Sequence, residues 1–126
     1  MNDSFMSSAS HVPVAPRYDG FYYARSDSGD CTYLVRFYPD GMVITVSVAN
    51  GWAPAGIMQW FDRRDPEMSK GPYVVLGTTI AFTSESSYGR VDYAGFLDQG
   101  VLKISSLSLI NGYYEVDRIY AFARVS

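Results

Sequence analysis

Apolar and polar residues alternate with a period of two through most of this chain. A strand turns successive side chains to opposite faces, so such runs predict half-buried β-strands. The clearest pair is Cys31–Tyr38 and Met42–Val48, rich in β-branched and aromatic residues and joined at Tyr38-Pro39-Asp40-Gly41. Pro39 presets the first central position of a turn, Asp40 tolerates the second, and Gly41 accepts a left-handed backbone at no steric cost. This predicts a β-hairpin.

The same signal recurs on both sides of the hairpin. Gly20–Arg25 reads as a short aromatic strand, followed by the polar loop Ser26–Asp30. Tyr73–Leu76 and Thr78–Thr83 flank Gly77, and Ser84–Tyr88 reads as a polar turn. Arg90–Leu97 sets Val91, Tyr93, Gly95 and Leu97 on one face. Val101–Leu109 and Glu115–Val125 alternate again, after turns at Asp98-Gln99-Gly100 and Asn111-Gly112. Asn50-Gly51 ends the third strand, and Asp62–Gly71 reads as a charged, exposed loop. Ala53–Phe61 is the single helix candidate, with Pro54 suited to a first helical turn. Gly56 weakens it, so it needs packing against the sheet to persist. Eight strands with short links predict an all-β fold, an eight-stranded antiparallel up-and-down barrel with one short helix between strands 3 and 4. Closure would remove the exposed edges that invite aggregation.

Composition narrows the options. The chain has 126 residues, 48% of them apolar, enough for one domain with a real core. Residues 1–16 are rich in Ser, Ala and Pro without periodicity and read as a flexible tail, leaving 17–126 as a single barrel domain. The tail carries neither a basic n-region nor an apolar h-region, so the cytoplasm is the default expectation. No apolar run reaches the roughly eighteen residues of a membrane span. A net charge of -3, with scattered Lys and Arg, argues against nucleic acid as a partner.

Most catalytic chemistries lack their parts. His11 is the sole histidine and falls in the tail, which leaves no Ser-His-Asp triad or His-based metal site. Cys31 is the sole cysteine, so no intrachain disulfide can form, and it reads as an inert thiol. No glycine-rich phosphate loop is present, and no cofactor is implied. A carboxylate pair such as Asp92 with Glu115 is chemically suited to acid–base work, but nothing in the spacing selects it.

The order of strand, hairpin, short helix and five meandering strands resembles the calycin-like barrels, which include lipocalins and fatty-acid-binding proteins. Lipocalins carry Gly-x-Trp near the first strand, with the Trp packed under a late Arg. The corresponding stretch here is Gly20-Phe21-Tyr22, with Tyr in place of Trp and Arg118 or Arg124 as the late Arg. Separately, Arg36-Phe37-Tyr38-Pro39-Asp40-Gly41 is similar to a stretch in the C-terminal domain of the F-box only protein 9 family. No F-box is present, so that likeness carries no implication for ubiquitin.

Candidate site residues follow from charge and from the resemblance. Eleven tyrosines either line a cavity or occupy the half-buried surface of strands, which phenols suit equally well. Tyr33, Tyr93 and Tyr120 lie within strands, while Tyr22, Tyr23, Tyr113 and Tyr114 read as strand-end residues. Arg36 shares its face with Leu34 and Tyr38, and Arg118 with Val116, Tyr120 and Phe122. If these faces turn inward, each Arg needs a carboxylate or a ligand anion. Asp92, Glu115 and Asp117 are available as structural partners, and outward faces are the plainer alternative. Fatty-acid-binding barrels hold a carboxylate with inward Arg and Tyr; the resemblance therefore implies Arg36, Tyr93, Arg118 and Tyr120 as ligand anchors. Trp52, Met58, Trp60 and Phe61 cluster around the helix candidate, either as a lid or as its buried stripe.

The expected function is non-catalytic binding of a small hydrophobic or amphipathic ligand, partly apolar and anionic, inside the barrel. The first alternative is a protein-interaction module with a side-chain-filled interior, using exposed aromatics and the Asp62–Gly71 loop. An enzyme using carboxylates and tyrosines is the third.

Overall fold

The computed structural model describes residues 15–49, 54–57, 61, 63–65, 67–98 and 100–125. Eight strands run in sequence: β1 Gly20–Arg25, β2 Cys31–Phe37, β3 Met42–Ala49, β4 Ser69–Leu76, β5 Thr79–Ser86, β6 Gly89–Asp98, β7 Val101–Ser108 and β8 Tyr114–Arg124. Each pairs antiparallel with the next, and β8 returns to β1 through Gly20 with Arg124 and Tyr22 with Phe122. The sheet is a closed barrel, as the alternation predicts. At the β2–β3 hairpin Gly41 has φ 93°, and its N–H donates to the Tyr38 carbonyl at 3.1 Å.

Two predicted strands are longer than expected. β4 starts at Ser69, inside the segment read as an exposed loop, and β5 runs on through Ser84 to Ser86, read as a turn. Both extensions carry small or hydroxylated residues on the inner face, so they lack the apolar beat that marks a strand. Gly71 is required there: a Cβ on it would lie 1.9 Å from the Thr83 carbonyl oxygen. Tyr22, read as a strand-end residue, is instead 1% exposed inside the barrel, and its hydroxyl accepts the Arg17 backbone N–H at 2.9 Å.

Apolar residues fill two separate cores. Inside the barrel, Tyr22, Phe37, Val43, Phe82, Leu97 and Leu102 form one cluster, with Phe37 edge-on to Tyr22, Tyr73 and Phe82. Outside it, Phe21, Leu34, Ile44 and Val48 are covered by Ile57 and Phe61. Alternation explains this doubling, since β1–β3 are apolar on both faces and require a cover on the outer one. One helical turn, Pro54–Ile57, lies in that cover. Of the helix expected over Ala53–Phe61, Ala53, Met58, Gln59 and Trp60 lie outside the described residues, as does Trp52. So do residues 1–14, which make up most of the expected tail, and His11 with them.

Candidate functional site

The strand registers divide the barrel interior into two levels. Take the end carrying the β1–β2 loop and the β7–β8 turn as the upper one. β3, β5 and β7 all climb toward it, and their inward residues change in the same way. β3 presents Val43, then Thr45 and Ser47; β5 presents Ile80 and Phe82, then Ser84 and Ser86; β7 presents Leu102 and Ile104, then Ser106 and Ser108. The lower level is packed with large side chains. The upper level presents short hydroxylated side chains, which fill less of the interior.

The result is a cavity of about 380 Å³ at the upper end. Its polar wall comprises Thr45, Ser47, Ser69, Ser106 and Glu115, and its aromatic wall comprises Tyr33, Tyr93, Tyr113 and Tyr120. The volume falls in the range of small-molecule sites. A network of hydroxyls lies at its base. Ser84, fully buried, bonds Thr45 and Ser69 at 2.5 Å each. Tyr93 is fixed from below by Phe82, with ring centroids 4.5 Å apart and planes nearly parallel. Burial raises the pKa of Tyr33, Tyr93 and Tyr120, and the negative charge of Glu115 raises each further. At neutral pH the three phenols are therefore uncharged.

Arg118 stands at the edge of this cavity, and a bulge in β8 puts it there. In a straight strand Glu115 and Arg118 would face opposite sides of the sheet. Here Ile104 pairs with Arg118 but Ser106 pairs with Glu115, so β8 holds an extra residue between them. Asp117 absorbs the irregularity with φ 53°, and its N–H donates to Ser105 Oγ at 3.1 Å. Asp tolerates this left-handed geometry better than most residues. Both Glu115 and Arg118 consequently point inward. The Arg118 guanidinium donates to both Glu115 oxygens, Nε to Oε1 at 2.8 Å and Nη2 to Oε2 at 2.7 Å. It also reaches the Arg25 carbonyl at 2.7 Å and Asp27 at 3.0 Å, and lies 5.4 Å from the Tyr33 ring centroid.

The four expected anchors are only partly brought together. Tyr93 and Tyr120 line the cavity, and Arg118 borders it through Glu115 and Tyr33. Arg36 does not reach it. Its strand face carries Leu34 and Tyr38, which belong to the outer core, and its guanidinium lies 5.0 Å from the Tyr38 ring centroid. Arg63 approaches the same ring at 4.6 Å and pairs with Asp40, so these cations hold the cover rather than the interior. Val116 does not share a face with Arg118; the bulge turns it outward, 62% exposed. Asp92 and Glu115 do not meet either. Asp92 bonds Arg90 at 2.8 Å and Thr83 at 3.0 Å on the outer face. Neither proposed late Arg packs on Tyr22. Phe122 does, edge-on at 5.0 Å, with Arg17 4.2 Å above it, while Arg124 pairs with Asp19 at 3.4 Å.

Sequence reading missed the hydroxyl wall and Glu115 as its charged member. The signal was available: three alternate strands switch from apolar to Ser or Thr at the same height. Among the described residues, no group of three or more His, Cys, Asp or Glu is disposed to hold a metal ion. No family model, curated protein or solved structure matches the chain.

Proposed function

We propose that this protein is a non-catalytic carrier or sensor that binds one small molecule in the upper half of its barrel, in the manner of calycin-like proteins. The observation that carries this reading is the coordinated change of the inner face from apolar to hydroxyl, which leaves about 380 Å³ unfilled. Space alone would destabilise the fold, because cavities forfeit packing. A wall of hydrogen-bonding groups gives that space a use. Phenol rings offer flat apolar surface, while Ser, Thr and Tyr hydroxyls accept or donate according to the guest. The guest that fits has an apolar or aromatic body and polar substituents. Native mass spectrometry of the purified protein, compared with its denatured mass, tests this. The expected result is a small-molecule adduct that disappears in Ser106→Phe, a variant that fills the space. An adduct unaffected by that substitution would place binding elsewhere.

A second reading, a protein-contact module, draws on the outer face of β4–β8. Val74, Leu76, Phe96 and Ile119 are all more than half exposed there. The binding reading is preferred because a contact module does not need a hollow, hydroxyl-lined interior.

A further inference from the structure

We infer that the guest of this cavity is a cation, a small amine or quaternary ammonium with an aromatic or aliphatic body, and not an anion. The inference rests on the cavity being a binding site and adds the charge of what it takes.

Two geometric observations support it, and the titration of the phenols accords with them. Among the described residues lining the cavity, Glu115 is the one ionised side chain. The neighbouring cation, Arg118, is committed elsewhere. Four of its five N–H directions point to Glu115, Asp27 and the Arg25 carbonyl at 2.7–3.0 Å. An incoming carboxylate would have to displace two resident ones, giving up charge-assisted bonds of equal quality. Counted together, one guanidinium faces two carboxylates, so the cluster carries one net negative charge.

The second observation is the aromatic wall. Tyr33, Tyr93, Tyr113 and Tyr120 surround a space with a carboxylate at its edge. Ring faces attract cations through their quadrupole, and the effect is stronger where water is excluded. Arg118 already lies near the Tyr33 face at 5.4 Å, which places that ring and a positive charge within reach of each other.

The titration of the phenols accords with both. Beyond the effect of burial, Glu115 pushes Tyr33, Tyr93 and Tyr120 toward their neutral forms. Burial is the largest cause at all three, and Arg118 pulls Tyr33 and Tyr120 the other way. A field that disfavours phenolate also disfavours a guest carboxylate and favours an ammonium.

The test uses three compounds with the same ring and hydroxyl: tyramine, tyrosol and para-hydroxyphenylacetate, which are cationic, neutral and anionic at neutral pH. Each is titrated into the full chain while backbone amide resonances are followed by NMR. Tyramine should shift the amides of Tyr33, Tyr93 and Ser106 and bind about tenfold or more tighter than tyrosol. The acid should bind weakest. In Glu115→Gln the preference of tyramine over tyrosol should vanish, and the amide spectrum checks that the variant is folded. The charge series on the unaltered protein stands even if that variant does not fold. Equal affinity for tyramine and tyrosol, or tightest binding of the acid, would overturn the inference and leave the binding site standing. No shift at the cavity amides with any of the three would overturn the binding reading and this inference with it.

Discussion

The lower and upper halves of one barrel are built from the same strands, yet they behave as different materials. In the lower half Phe37 touches three rings and is 1% exposed, and Leu102 is fully buried. In the upper half the same strands present Thr45, Ser47 and Ser106 around a space of about 380 Å³. The first arrangement maximises dispersion and the removal of apolar surface from water. The second gives up that gain and installs hydrogen-bonding groups. A barrel needs one sealed level to hold its shape, and only the remaining level is available to a guest. The lower half thus supplies the stability that the upper half does without.

Substitutions sharpen this contrast. The largest effect is expected from Phe37→Ala, which removes the ring at the centre of the lower cluster and should cost about 3–5 kcal/mol in denaturant unfolding. Arg118→Leu should cost about 1–3 kcal/mol, because Glu115 is then left with its carboxylate buried and its main partner gone. Asp117→Val should cost about 1–2 kcal/mol by placing a β-branched residue in a left-handed backbone. Asp117→Gly should be close to neutral, and that difference separates the bulge from any loss of the Asp charge. At the hollow level Ser47→Ala should change stability by no more than about 0.5 kcal/mol. An equal loss at Ser47 and Phe37 would break the distinction between the halves.

Titration gives a further test. Burial raises the pKa of Tyr22, Tyr73, Tyr93 and Tyr120 above the usual phenol value, so folding favours their neutral forms. Their contribution is fully present below the unfolded phenol pKa of about 10 and is lost as pH rises toward the folded values. The expected outcome is a fall in unfolding midpoint above about pH 10, with phenolate absorbance for these residues appearing at higher pH in the folded protein than in the unfolded chain. At the other extreme, Arg partners hold Asp19, Asp40 and Asp92 below the usual carboxylate range. All three are at least a third exposed, so the matching loss of stability below about pH 4 should be slight.

The legible parts of the sequence coincide with the packed half. Strands such as Arg90–Leu97 alternate apolar with polar, and Gly41 marks its hairpin; both read directly into structure. The start of β4 and the end of β5 were misread because Ser69, Gly71, Ser84 and Ser86 look like loop composition. Ser69 lines the cavity and Ser84 is bonded to Ser69 and Thr45 of its wall, so the failure of strand patterning there is itself a trace of the cavity. Alternation set Arg118 with Tyr120 and Phe122 correctly but added Val116 in place of Glu115, because the bulge shifts the count by one residue just before Arg118. Nothing in the local sequence distinguishes Asp117 as the residue that takes the left-handed conformation. The face of Arg36 was left open for another reason. β2 is apolar on both faces, so alternation alone does not say which face is inside; that depends on what covers the outer one.

The central claim is that one end of the interior is full and the other is not, and two enlargements on one strand test it most directly. Ile104 and Ser106 sit on the same inward face of β7, one at each level. Ile104→Phe should lower the unfolding free energy by about 1–3 kcal/mol, because no room is left around it. Ser106→Leu should leave it unchanged or raise it, because the added carbons enter empty space. Equal destabilisation by the two substitutions would mean that the upper end is as tightly packed as the lower, and would contradict the account.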